Sequence, residues 1–426
     1  MEENNTLAEE VSRVANATYG HSRRLMPEQP WWNNLDPVFH KYPDDFYLDS
    51  KTQITVYILS LLDIVTRTVL STLAMVFALF STLRRLKIEN EAQHFYKSLA
   101  DSADIDTVFP RPATCPDVQR RPVHVTAAPK EAITETLTFA SHYRTLHPAL
   151  QEKFDQLDRN NTVWAQYWRH GDRPRPTLCV IHGFILDAYS VNSRFFHLHD
   201  FFRQGYDIVL CTLPFHGARK QRWAPYSGHG VFSYGACHLN EAVLQGVHDF
   251  RLLLNWLESQ GVEKAGVTGI SFGGYTAALL AATEERLQFS IPIVPVASMT
   301  DVILQWAPVS LLIKLGLRMA GISIPEARHV MAVQSPLSWK PKLPRERLMI
   351  IGGAGDRVVP PKQARLLWDH WDHPRLHWFP GNHLIHMDQV VYLKDMANFI
   401  RSTGFADGLS ETTLRTGHAA VTDLRP

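Results

Sequence analysis

Ser271 stands between Gly269 and Gly273 in the run Gly269-Ile270-Ser271-Phe272-Gly273-Gly274, directly after the apolar stretch Ala265-Gly266-Val267-Thr268. That spacing suits a sharp strand-to-helix turn, in which a Cβ at either flanking position would strike the neighbouring strand or helix. Such a turn presents the hydroxyl at the mouth of a sheet as a nucleophile. It also sets the Phe272 amide at the start of a helix, where it can stabilise an oxyanion. A serine nucleophile needs a base to take its proton and an acid to orient that base. His383, in Phe379-Pro380-Gly381-Asn382-His383, follows an apolar run and is the candidate base, with His386 as a substitute. Asp356, in Gly352-Gly353-Ala354-Gly355-Asp356-Arg357, follows another apolar run and is the candidate acid, with Asp301 as its rival. Taken singly, each motif could be a capping serine, a turn aspartate or a surface histidine. In the order serine, acid, histidine, each at a strand end, they are far more specific.

A second oxyanion donor is expected after the run Thr177-Leu178-Cys179-Val180-Ile181, where His182-Gly183-Phe184 can aim the Phe184 amide at the same point. His182, Gly183, His216 and Trp306 are the candidates for lining the substrate pocket. His216 could equally belong to an ordinary turn, Leu213-Pro214-Phe215-His216-Gly217.

The elements that must position these groups alternate along the chain. Thr136–Tyr143 and Val163–Trp168 read as early antiparallel strands. Thr177–Ile181, Ile208–Thr212, the run before Ser271, Phe289–Val294, Leu348–Gly352 and Leu376–Phe379 read as buried parallel ones. Long amphipathic helices are expected over about 240–259 and 388–401, and a helix follows Ser271. The fold class is therefore α/β, a mostly parallel central sheet with helices on both faces. An insertion over about 297–345, rich in Val302, Ile303, Trp306, Leu311, Leu315 and Met319, reads as a helical cap. Its apolar density favours a lipophilic acyl substrate, although the same residues would also serve to dock the cap. Trp223, Tyr226, Phe232 and Tyr234 lie in another long connection and are expected to extend that wall.

These motifs resemble the α/β-hydrolase superfamily, in particular its serine esterase and its dienelactone-hydrolase-like or peptidase-like branches, over about residues 122–404. The resemblance implies Ser271, Asp356 and His383 as a triad, with Phe184 and Phe272 as oxyanion amides and no cofactor. Two departures stand out: Asn382 occupies a place where many members have a second glycine, and Leu213–Gly217 replaces a commoner aspartate-bearing turn. The implied activity is cleavage of a small-molecule carboxylic ester or thioester. Alternatives are a peptidase of the same fold and a non-catalytic, membrane-attached binding protein on a hydrolase fold.

Length and composition bound the rest. The 426 residues suit one large domain with an appendage, and a formal charge of +1 supplies no field for nucleic acid. The cysteines Cys115, Cys179, Cys211 and Cys237 form no CxxC pair and read as reduced thiols, which points to the cytoplasm. The first 25 residues lack the apolar core of a secretory signal. His370, His373, His377, His383 and His386 crowd together without an HExxH pattern, so no metal site is expected. Residues 1–120 read as an extension containing a long apolar helix at about 54–83, and 405–426 as a disordered tail. On that helix Ile54, Tyr57, Ile58, Leu61, Leu62, Val65, Val69 and Leu73 share one face. Ser60, Asp63, Arg67 and Ser71 form a second stripe, with Asp63 and Arg67 at pairing distance. Such a helix could span a bilayer, lie on one, or pack its apolar face on the catalytic domain or on a second subunit. If it spans, Arg84, Arg85, Lys87 and Lys97 outnumber Lys41 and Lys51, which turns the catalytic domain to the cytoplasm. The oligomeric state is left open.

Overall fold

Thr177–Ile181 is buried along its whole length, as are Met349–Gly353 and nearly all of Ala265–Ile270 and Leu287–Ile293, so these segments form the centre of a sheet covered on both faces. The computed structural model describes residues 30–35, 39, 46, 48–79, 86–102, 104–171, 173–407 and 409. Among them the strands are β1 (Gln119–Pro122), β2 (Ile133–Ala140), β3 (Thr162–Arg169), β4 (Thr177–Ile181), β5 (Asp207–Cys211), β6 (Ala265–Ile270), β7 (Leu287–Ile293), β8 (Met349–Gly353) and β9 (Arg375–Phe379). They form one sheet in the order β1-β2-β3-β5-β4-β6-β7-β8-β9. β1, β2 and β3 pair antiparallel, as do β3 and β5, and every pairing from β5 onward is parallel.

The main helices are α1 (Ser50–Leu79), α2 (Leu86–Ser102), α3 (Ala236–Ser259), α4 (Phe272–Thr283), α5 (Met299–Ile303), α6 (Val309–Met319), α7 (Ile324–Ala332), α8 (Pro361–His370) and α9 (Gln389–Ser402). One apolar layer packs α3, α4, α5 and α7 on one sheet face, with Leu244, Leu254, Leu280, Val302 and Val330 among its members. The other layer holds Phe202, Phe289, Met396 and Ile400 against the opposite face. α4 is buried on every side, which is why its sequence is apolar all round rather than striped.

Three features depart from the sequence reading. β1 straddles the expected boundary at residue 120, where no strand is expected: its Gln-Arg-Arg-Pro sequence is exposed throughout and carries no apolar signal, as an edge strand allows. α2 was not expected; it is anchored by Tyr96, whose hydroxyl bonds the buried carboxylate of Glu241 on α3. The chain beyond α9 stays ordered further than expected, because Phe405 is buried against Tyr206 and Phe289. The expected end of the apolar helix at 80–83, the flanking Lys41, Arg84 and Arg85, and the tail from 410 onward lie outside the described residues.

α1 turns its polar stripe toward the protein. Ser60, Asp63 and Ser71 are buried, whereas Ile54, Tyr57, Ile58, Leu61, Leu62, Val65, Val69 and Leu73 are exposed. Its segment Ser50–Leu73 is long and apolar enough, by length and composition, to cross a membrane. Asp63 and Arg67 do not join as an ion pair; each bonds the catalytic domain instead. On the insertion, Val302 is buried, but Leu311, Leu315 and Met319 of α6 face outward. The apolar density of this segment is thus divided between docking and surface.

Candidate active site

β6 ends in the turn that carries Ser271, whose backbone adopts φ 57° and ψ −113°. Such a conformation costs a non-glycine residue about 1–3 kcal/mol, so the surroundings must enforce it. They do so by close approach. A Cβ on Gly269 would lie 2.4 Å from the Gly273 carbonyl oxygen, and one on Gly273 would lie 2.3 Å from that of Ile181. The Ser271 amide donates to the Ile293 carbonyl (2.9 Å), and its own carbonyl accepts the first helical bond, from Tyr275 (2.9 Å). The Phe272 amide, a first-turn donor, has no acceptor among the described residues.

β8 and β9 run in register, Gly353 beside Phe379, and each ends in one of the other two loops. Asp356 is fully buried. Its Oδ1 accepts the amides of Val358 (2.9 Å) and Val359 (2.7 Å), and its Oδ2 lies 2.6 Å from His383 Nδ1. The carboxylate thus fixes the imidazole with Nδ1 carrying the proton and Nε2 free to act as base. Burial pulls the His383 pKa down, but the neighbouring Asp356 carboxylate, its hydrogen bond and the charge of Asp63 outweigh burial and hold it above the ordinary histidine value. The structure brings Asp356 and His383 into direct contact and sets Ser271 at the same carboxyl end of the sheet. The Ser271 hydroxyl has no hydrogen bond among the described residues. Nucleophile–base contacts of this kind commonly tighten only when substrate arrives.

The remaining candidates fall out as follows. Asp301 is held by Arg328 through paired bonds of 2.9 and 2.7 Å, so it orients no histidine. His386 bonds the Tyr392 hydroxyl (2.9 Å) and stacks on Phe379, and burial holds its pKa down at about 3. His370, His373 and His377 face the Trp339 carbonyl, Asp369 and Asp395 respectively, so the histidine cluster disperses. His182 donates from Nδ1 to the Gly183 carbonyl (2.8 Å) and accepts the Leu213 amide at Nε2 (3.1 Å), which shapes the loop before Phe184. Gly183 faces Ser271, since a Cβ there would sit 3.6 Å from Ser271 Cβ. The Phe184 amide donates to no acceptor among the described residues. His216 is buried between Phe184 and Phe272, and burial drives its pKa well below normal. Trp306 donates from Nε1 to the Val358 carbonyl (3.1 Å), so it steadies the acid loop. Phe232 packs edge-on to Phe184 and against Phe272, so the three rings form an aromatic wall.

Sequence reasoning passed over one contribution, that of α1. Asp63 Oδ2 accepts the amides of both Arg357 (2.9 Å) and His383 (2.8 Å), Ser60 Oγ donates to the Gly355 carbonyl (2.7 Å), and Asn382 Nδ2 donates to the Leu59 carbonyl (2.7 Å). Arg67 adds a bond to the Arg357 carbonyl (2.9 Å). The polar stripe was legible; its destination was not, because nothing in a single sequence ties residues near 60 to loops near 355 and 383.

With the sheet order, the strained turn and the loop positions in view, comparisons with known proteins agree on the fold. The chain has the α/β-hydrolase fold. Residues 167–306 match the family "alpha/beta hydrolase domain containing 18", and residues 243–401 match the prolyl oligopeptidase family. Uncharacterized proteins from two strains of Mycobacterium tuberculosis are 35% identical over 239 residues, which is 53% of this chain and 53% of theirs. The chain thus spans about half the length of the curated relatives it matches. Acetyl xylan esterase 1 from a Thermoanaerobacterium species superposes with a TM-score of 0.51 at 15% identity, covering 74% of this chain and 94% of that one. An acetyl xylan esterase from a Paenibacillus species gives 0.50 at 13% identity, covering 74% and 98%.

Proposed function

We propose that this α/β-hydrolase cleaves a carboxylic ester or thioester through an acyl-enzyme on Ser271. The observation that carries the reading is the buried Asp356–His383 hydrogen bond, formed at the same end of the sheet as the strained Ser271 turn. His383 Nε2 takes the hydroxyl proton as Ser271 attacks the carbonyl, and Asp356 stabilises the imidazolium that forms. The Phe184 and Phe272 amides receive the developing oxyanion, and His383 returns the proton to the leaving group. Water then repeats the sequence in reverse and frees the acid. In this reading residues 121–404 form the hydrolase domain, and 297–345 form its cap.

The aromatic wall of Phe184, Phe232 and Phe272 supports a lipophilic acyl group, whereas the acetyl xylan esterases named above support a short one. The prolyl oligopeptidase match over residues 243–401 favours a second reading, amide cleavage by the same apparatus. We further infer that the outward apolar side of α1 rests on a membrane surface while its polar side stays on the enzyme. The four free thiols suit a reducing compartment such as the cytoplasm.

A fluorophosphonate probe tests the central claim. Modification of the wild-type chain and not of Ser271→Ala supports it; an unlabelled, folded wild type leaves the binding-protein alternative. A panel of esters of graded acyl length, with matched amides, separates the substrate readings. Flotation with phospholipid vesicles tests the surface contact, and a chain that stays wholly unfloated removes it.

A further inference from the structure

The loops that carry Asp356 and His383 leave the sheet from adjacent strands, and both are exposed to the same risk: a loop is the least rigid place from which to aim a side chain. Backbone contacts tie them directly, from the Ala354 amide to the Phe379 carbonyl (3.0 Å) and from the Gly355 amide to the Gly381 carbonyl (2.8 Å), and so does the Asp356–His383 bond. A further tie runs through Asp63. Its Oδ2 receives the backbone amide of Arg357, the residue after the candidate acid, and the backbone amide of His383 itself. One oxygen atom therefore fixes the spacing between the two loops, from a helix that contributes no strand to the sheet.

We propose that Asp63 is a positioning residue of the active site, holding the Asp356 and His383 loops at the separation that proton transfer requires. The proposal rests on the serine-hydrolase reading above. Two further observations mark the carboxylate as more than a brace. Asp63 is fully buried, and its Oδ1 has no hydrogen-bond partner among the described residues. A carboxylate whose second oxygen is left bare in the interior is an expensive way to accept two amides; a serine or an amide side chain would do so without burying charge. The charge therefore has a use. The groups facing Asp63 are Arg67 on its own helix, Asp356 and Arg357 on the acid loop, and His383 on the histidine loop. Burial, reinforced by the like charge of Asp356, raises its pKa to about 6, so it is ionised at neutral pH. It then adds a second negative charge beside an imidazole that already bonds Asp356, with His386 the other ring nearby. Both carboxylates favour the imidazolium that forms as Ser271 attacks.

The test uses the purified full chain and the rate of Ser271 phosphonylation by a fluorophosphonate, followed by intact mass from about pH 5 to 9, which requires no knowledge of the natural substrate. Asp63→Ala removes both acceptors and is expected to slow labelling about tenfold or more. Asp63→Asn keeps an acceptor oxygen for the two amides and removes the charge; labelling at pH 8 is expected within about fivefold of wild type, with the acid midpoint moved to lower pH. That midpoint is the readout a purely structural role would not move. Should Asp63→Ala fail to fold, Asp63→Asn decides alone. Wild-type rate and midpoint in Asp63→Asn, or a slower rate with an unmoved midpoint, overturns the proposal while the enzyme reading stands. A wild-type chain labelled no faster than Ser271→Ala overturns both.

Discussion

Gly355 lies so close to Ser60 that it has no room for a side chain. A Cβ at 355 would fall 2.8 Å from Ser60 Oγ, 2.6 Å from Val56 Cγ1 and 2.6 Å from the Gly381 carbonyl oxygen. The glycine before the candidate acid is thus required by a helix about three hundred residues earlier in sequence. Gly355→Ala must push α1 outward or open the loop, and overpacking of this kind destabilises by about 1–3 kcal/mol. The measurement is a urea melt, with serine labelling followed in parallel. An unchanged melt would show that α1 is not docked as described.

The glycines around the nucleophile divide in the same way. A Cβ on Gly273 would meet two backbone oxygens, of Ile181 at 2.3 Å and His182 at 2.5 Å, and neither can move without breaking β4 from its neighbours. On Gly183 the nearest atom would be the Ile270 oxygen at 3.5 Å, which is ordinary contact. Gly273→Ala is therefore expected to yield little folded protein. Gly183→Ala is expected to melt within about 0.5 kcal/mol of wild type. Soluble yield and thermal melts of the two variants check the contrast.

The order of strands and the places of Ser271, Asp356 and His383 could be read because a buried parallel strand is a short apolar run and each motif ends one. β1 could not be read, since an exposed edge strand needs no apolar residues. The destination of the Ser60–Asp63–Arg67–Ser71 stripe was hidden for a different reason: a helix with one polar and one apolar side is ordinarily docked by the apolar side, and α1 does the opposite. Rival assignments such as Asp301 were open because a carboxylate near a strand end looks alike whether it meets a histidine or Arg328.

The raised pKa of His383 gives activity and stability opposite pH dependences. In the proposed mechanism the neutral imidazole is the working base, so labelling is expected to fall as pH drops through the folded pKa, above the ordinary value of 6.5. The same shift stabilises the fold in full below the unfolded value and is lost as pH rises through the folded one. Asp356→Asn removes the principal cause and is expected to slow labelling by about 10³–10⁴-fold. A labelling profile for wild type with its acid midpoint below 6.5 contradicts the assignment.

Asp301 supplies a control for the acid. Removing its charge strands Arg328 in a largely buried place, which costs about 3 kcal/mol when one partner of such a pair is lost. Asp301→Asn is expected to melt earlier yet to label at the wild-type rate per folded molecule. Loss of labelling in well-folded Asp301→Asn would return the rival acid to contention over Asp356.

Asn382 departs from the glycine that related hydrolases often have before the histidine, and its bonds explain the exchange. Nδ2 reaches the Leu59 carbonyl on α1, while Oδ1 accepts the amides of Leu384 (3.1 Å) and Ile385 (2.6 Å). One side chain thus fastens the histidine loop to the helix and closes the turn that follows. Glycine at 382 would leave those two amides unpaired, at about 1–3 kcal/mol for each buried group left without a partner, and would remove the tie to Leu59, whose carbonyl keeps its intrahelical bond. Asn382→Gly is therefore expected to lower the melting temperature and to speed amide exchange at His383 through Ile385 and along Leu59 to Asp63 together. Faster exchange confined to the histidine loop, with α1 unchanged, would mean that the helix is held by its other contacts and that Asn382 serves its own turn alone.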